Sequence, residues 1–169
     1  TTRAGNIHKY DYLVVATGVQ YQYEKIKGLT KEDIGKNGIT SVYLSDLEKG
    51  TAVGATATWD WFNELKEAAK SGKPKVIYTQ PNTAIKCGGA PQKMLYLSAD
   101  YLKRDGLSAE YSFVSSQAKL FSLPQVDKAL HEVQGTYDSI TNKFQHHFES
   151  IDIKAKKATF IHAYEVKEY

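Results

Sequence analysis

The chain has 169 residues, 41% of them apolar and 24% charged, with a formal net charge of +3 and a single cysteine. That length is enough to bury a sizeable core as one domain, and the composition is ordinary for a globular protein. The small charge and the presence of only two arginines, Arg3 and Arg104, argue against a nucleic-acid surface, and one cysteine excludes an internal disulfide framework.

In chain order, Tyr10 to Val15 is a dense apolar, β-branched run ending in Ala16-Thr17-Gly18, and it reads as a buried strand stopping at a glycine turn. The run from Tyr12 to Val19, interrupted by Thr17 and Gly18, is too short to cross a bilayer. No signal-peptide pattern is visible. The start at Thr1-Thr2, with Met94 as the sole methionine, leads to the expectation that the stretch is cut from something longer. Residues 21–50 read as loop punctuated by Gly28, Gly35 and Gly38, with a short strand at Ser41 to Leu44. From Thr56 to Lys70 the spacing of Trp61, Leu65 and Ala68, widened by Phe62 and Ala69, predicts a helix stopped by Ser71-Gly72-Lys73-Pro74. A strand follows at Lys75 to Thr79, then a turn over 80–89. A helix opens at Pro91, a favourable first position, with Met94, Leu97 and Tyr101 on one face. Ala109 to Ser115 is the next strand and Pro124 to Gln134 the next helix, carrying Val126, Ala129, Leu130 and Val133. Phe144 to Phe148 and Ile151 to Ile161 close the chain as strands around a lysine-rich turn at 154–157. Alternating strands and helices imply parallel βαβ units with antiparallel strands added at the end. The expected fold is therefore α/β: a Rossmann-like, three-layer open sheet, mostly parallel.

The densest constellation is Thr79-Gln80-Pro81-Asn82-Thr83-Ala84-Ile85-Lys86-Cys87-Gly88-Gly89-Ala90-Pro91. It joins a strand to its helix, where open α/β sheets bind ligands. The glycine pattern that cradles a dinucleotide pyrophosphate is missing, with Pro81 and Asn82 in place of the first glycines, so nicotinamide binding is disfavoured. The turn does offer a thiol. Cys87 precedes a helix N-terminus, whose partial positive charge favours thiolate, and Lys86 and Lys93 add charge nearby. Position alone leaves a redox thiol and an inert buried cysteine side by side.

The run Tyr10-Asp11-Tyr12-Leu13-Val14-Val15-Ala16-Thr17-Gly18 resembles the Ala-Thr-Gly strand of two-dinucleotide-domain flavoproteins, which ends close to bound FAD. Residues 20–29, the segment from Pro81 to Lys93 with its Lys86-Cys87-Gly88-Gly89-Ala90-Pro91-Gln92-Lys93 run, and the Ala158-Thr159-Phe160 strand are similar to sulfide:quinone oxidoreductases, while residues 45–58 match loosely. The resemblance implies an enzyme whose FAD takes electrons from sulfide through a pair of cysteines and passes them to a membrane quinone. It implies that Cys87 is one redox cysteine and that Thr17 and Gly18 lie at the flavin-proximal strand end. The family's second redox cysteine, its FAD fingerprint and its membrane-binding C-terminal segments have no counterpart here and would lie outside this stretch. On this reading residues 1–30 are a flank from the FAD-domain side and 31–169 an NAD(P)-binding-like Rossmann domain. The parent would sit peripherally on a membrane, and the isolated stretch would be soluble and inactive.

Two other functions stay open: the NAD(P)H-binding domain of a related FAD-dependent reductase, and a flavin-free persulfide carrier. Other residues read more plainly. His146 and His147 are adjacent in a predicted strand and point to opposite faces, so no metal site is expected, and His8, His131 and His162 show no ligand spacing. Trp59, Trp61, Tyr96 and Tyr101 read as core packing, and Lys154, Lys156 and Lys157 as a solvated turn.

Overall fold

The computed structural model describes every residue except Thr17, 46–52, Ala84, Asp138, 163–165 and Tyr169, with 166–168 described by their backbone. A long helix, α1 (Val53–Ala69), leads into strand β1 (Lys75–Gln80). Helix α2 (Ala90–Lys103) then crosses to β2 (Glu110–Ser115), and α3 (Pro124–Gln134) crosses to β3 (Ile140–Lys143). The three strands form a parallel sheet in the order β1-β2-β3, with Val76 opposite Tyr111 and Phe113 opposite Asn142. Strands β4 (His146–Asp152), β5 (Lys157–His162) and β6 (Val166–Glu168) form a second, antiparallel sheet. The expected α/β, Rossmann-like architecture with added antiparallel strands is what forms.

One core holds the parallel unit together. Leu65 and Ala69 of α1, Val76 and Tyr78 of β1, Leu95, Ala99 and Leu102 of α2, and Tyr111 and Phe113 of β2 pack as one cluster. Along β1 the burial alternates, with Val76, Tyr78 and Gln80 inward, as the two-residue period of a strand requires. Two helix faces differ from expectation. In α1 the buried residues are Gly54, Thr58, Phe62, Leu65 and Ala69, while Ala68 is exposed and Trp61 only half-buried. In α2 they are Gln92, Leu95, Ser98, Ala99 and Leu102, whereas Leu97 is exposed. The reason is hydrogen bonding. Gln92 Nε2 donates to the Leu120 carbonyl at 2.7 Å and its Oε1 accepts from Tyr96 at 2.8 Å. Ser98 donates to the Leu95 carbonyl at 2.9 Å and also meets the Tyr78 hydroxyl. A polar side chain with its partners supplied is accommodated in a core.

The N-terminal part departs further. Residues 10–15 form no strand: Tyr12 is 93% and Val14 86% exposed, and no strand among the described residues pairs with this run. A strand needs a neighbour to satisfy its backbone and cover its side chains, and the described residues supply none here. Ser41 to Leu44 is a turn, closed by the Leu44 amide on the Ser41 carbonyl at 3.2 Å. Strand β3 was not expected, and β4 starts at His146 because Gln145 takes a positive φ of 59°. The lysine-rich turn does form, over 153–156, with Asp152 accepting from the Ala155 amide at 2.9 Å. Lys27 joins β4 through backbone bonds to Glu149 and Ile151 at 3.0 and 2.8 Å. Gly28 permits this approach: its φ is +83°, and a Cβ there would fall 2.2 Å from the Ile151 carbonyl oxygen.

Candidate functional site

The site lies at the carboxyl ends of β1 and β2, where a parallel sheet leaves a crevice between its crossover loops. Local bonds hold the two strand tips together. Ser116 donates to the Pro81 carbonyl at 2.9 Å, and the Ser115 hydroxyl donates to Gln80 and accepts from the Gln117 amide at 3.1 Å. Beside them is a crevice of about 450 Å³ walled by Gln80, Thr83, Ile85, Gln117 and Phe121. That volume is within the ordinary range for a small-molecule site. Gly88 lies on its rim, close enough to Phe121 that an added Cβ would touch the ring at 3.4 Å.

Cys87 sits in the loop that enters α2, and its thiol is free and exposed. Exposure removes the reading of an inert buried cysteine. The Cys87 carbonyl accepts from the Ala90 amide at 3.1 Å, which fixes the loop onto the first turn of the helix. Gly89 caps α2 without a side-chain hydrogen bond, and Pro91 follows in the first turn. The positive end of the helix is therefore not neutralised by a capping side chain.

The structure brings one distant predicted residue to this loop. Gly18 has a φ of +76°, and a Cβ built on it would meet Lys86 Nζ at 3.5 Å and Cε at 3.7 Å. The end of the Ala-Thr-Gly segment and the residue next to Cys87 are therefore neighbours in space, though 68 positions apart. Thr17, the other residue assigned to the strand end, lies outside the described residues.

One participant was missed in the sequence. Tyr43 stacks on Tyr21 with ring centroids 5.0 Å apart, and Tyr21 in turn stacks on Tyr23 at 6.4 Å. The Tyr23 hydroxyl shares a 2.9 Å hydrogen bond with Ser41. Burial, then the charges of Tyr21 and Cys87, push the Tyr43 phenol above its usual value. Burial also raises Tyr23, against the opposing effect of its bond to Ser41. Tyr21 and Tyr23 lie in glycine-punctuated loop, and Tyr43 in the short segment expected as a strand, so no pattern ties them together. The only signal was three aromatics in a stretch read as loop with one short strand.

The histidines are arranged differently from their sequence order. His146 stands opposite His162 across β4 and β5, with ring centroids 4.7 Å apart, and its Nδ1 is 2.6 Å from the Phe144 carbonyl. Among the described residues no group of three or more metal-ligating side chains comes together. Nor is any helix among them long and apolar enough to cross a membrane.

No family model matches the chain. It is similar to mitochondrial sulfide:quinone oxidoreductases: 35% identical over 162 residues to that of Dictyostelium discoideum and 32% over 162 residues to that of Mus musculus, each match covering 94% of this chain. The protein of the same description from Schizosaccharomyces pombe is 33% identical over 132 residues, or 76% of this chain. The chain spans about a third of the length of the first two relatives, 32% in each case, and 26% of the third. A solved structure of Tetrahymena thermophila mitochondrial ATP synthase contains a chain of similar fold, with a TM-score of 0.57 at 14% identity, covering 91% of this chain and 37% of that one. That likeness is one of fold alone.

Proposed function

We propose, from the premise that this chain is homologous to the sulfide:quinone oxidoreductases over nearly its whole length, that it is the central portion of a flavoenzyme that oxidises sulfide with Cys87 as a redox thiol and passes the electrons to quinone. The observation that carries the reading is the meeting of Gly18 with Lys86, because it sets the strand end assigned to the flavin beside the loop that presents the thiol. The residues present fit one border of a flavin site: a glycine at positive φ with no side-chain bulk, an exposed thiol one residue from the lysine that meets it, and no acidic residue from Thr79 to Lys93.

When bound, FAD supplies the electron acceptor. Cys87 is half of a two-cysteine relay: hydrosulfide attacks the partner cysteine's sulfur in the disulfide or polysulfide bridge, and the new S–S bond leaves a persulfide there. The broken S–S bond releases Cys87 as the thiolate that carries the electron pair toward the flavin. Gly88 and Gly89 keep the approach to the Cys87 sulfur clear of side chains. Cys87 lies in the loop that enters α2, next to Lys86 in sequence. Residues 1–30 belong with the FAD domain and 31–169 form the Rossmann-like unit, which fits the lack of any strand partner for residues 10–15 among the described residues. Contact with a membrane belongs to other parts of the parent.

The test is anaerobic titration of the purified longer parent with sulfide. The flavin absorbance is expected to bleach on sulfide addition and to return when a soluble quinone analogue is added. A parent that carries no flavin, or whose flavin is indifferent to sulfide, overturns the reading.

A further inference from the structure

We propose that Lys86 is a positioning residue for electron uptake: its ammonium, lying across the backbone of Gly18, holds the negative charge that the flavin acquires on reduction. This rests on the reading above that the Gly18 end borders FAD. The carrying geometry is the 3.5 Å approach of Nζ to the position a Gly18 side chain would take. The lysine thus points back along the loop to the end of the 10–18 segment. The charged end of Lys86 therefore lies in van der Waals range of the Gly18 Cβ position, beside the end of that segment.

The charge there is not already committed. Lys27 pairs with Glu149, Lys66 with Asp105 and Lys70 with Glu67, whereas no carboxylate among the described residues pairs with Lys86. No acidic residue occurs from Thr79 to Lys93 or from Tyr12 to Tyr23, so neither segment neutralises it locally. A cation fixed beside a group that gains negative charge favours the charged form, and charge near a flavin is one of the means by which a protein tunes its potential. Adjacency in sequence gives Lys86 a second consequence: movement of the Cys87 loop moves this charge with it. The thiol and the electrostatic support for its electron acceptor are thereby set by the same few backbone torsions.

The experiment compares the flavin midpoint potential of the parent holoenzyme with its Lys86→Met and Lys86→Arg variants, by reductive titration against a reference dye, with flavin content measured alongside. Lys86→Met is expected to weaken the equilibrium for flavin reduction on the order of tenfold, a modest loss because the charge is partly solvated. Lys86→Arg is expected to restore it to within about twofold, and raising the salt should shrink the difference. A Lys86→Met potential equal to wild type overturns the inference, as does an arginine variant shifted as far as the methionine one. Failure of the underlying reading is distinct from either. In that case the wild-type parent itself shows no flavin, or none that sulfide reduces.

Discussion

Residues 75–115 and residues 7–19 are both rich in aromatic and β-branched side chains, yet they fare oppositely. In the first, Phe113 and Leu95 are fully buried and the strands pair along their whole length. In the second, Ile7, Tyr12 and Val14 face solvent and no strand among the described residues adjoins them. The difference is one of partners and not of propensity. A βαβ unit carries its own crossover helix and its own second strand, so its apolar face closes locally. A lone apolar run has only its pattern, and burial then depends on what else is in reach.

The comparison is broken most forcefully in the core. Phe113→Ala is expected to destabilise the 169-residue chain by about 3–5 kcal/mol, read as a shift of the urea midpoint, because the ring is wholly enclosed and its loss leaves a cavity. Next comes the junction between the two regions. Gly28→Ala should cost about 1–3 kcal/mol, since a methyl would collide with the Ile151 carbonyl at a positive φ. Hydrogen exchange at the Ile151 amide, which bonds to Lys27, should speed up in that variant.

A smaller effect tests how the core handles a polar atom. The Tyr111 hydroxyl is buried without a partner among the described residues, so Tyr111→Phe should be neutral or stabilising by about 1 kcal/mol at neutral pH. Burial pushes the Tyr111 phenol up to about 12 from its ordinary 10.0, with the Tyr137 charge adding to it. The folded state therefore favours the neutral phenol. Its contribution is complete below pH 10 and declines as pH rises towards 12. The phenylalanine variant should lose less stability across that interval than the parent chain, and equal alkaline losses would contradict the assignment. The smallest effect belongs to the exposed run. Val14→Ser should change the stability of this chain by less than about 0.5 kcal/mol, and should become measurable in the longer parent if residues 1–30 are covered there.

Much of the parallel unit was legible from the chain. Val76 and Tyr78 alternate, Pro91 opens α2 and Gly72-Lys73-Pro74 follows α1, each a local signal with a local cause. What failed was the choice of helix face. Apolar counting put Leu97 and Ala68 inside, but the core admits Gln92 and Ser98 because Leu120, Tyr96 and Tyr78 supply their bonds, and such partners come from other elements. Amphipathic α3 shows the converse, with Val126 and Val133 partly exposed despite their helical spacing. At the site, the place of Cys87 before α2 was legible because a cysteine ahead of a helix is a local feature, whereas its exposure was not. The nearness of Gly18 to its loop was not, since that approach depends on a tertiary contact that no periodicity encodes.

In the proposed function Cys87 delivers the electrons of sulfide to the flavin. The most direct test of that step is the rate of flavin reduction on rapid anaerobic mixing of the parent with sulfide, wild type against Cys87→Ser, both with full flavin content. A fall of at least about 100-fold is expected in the serine variant, as when a covalent nucleophile is removed. Reduction at the wild-type rate in Cys87→Ser would contradict it.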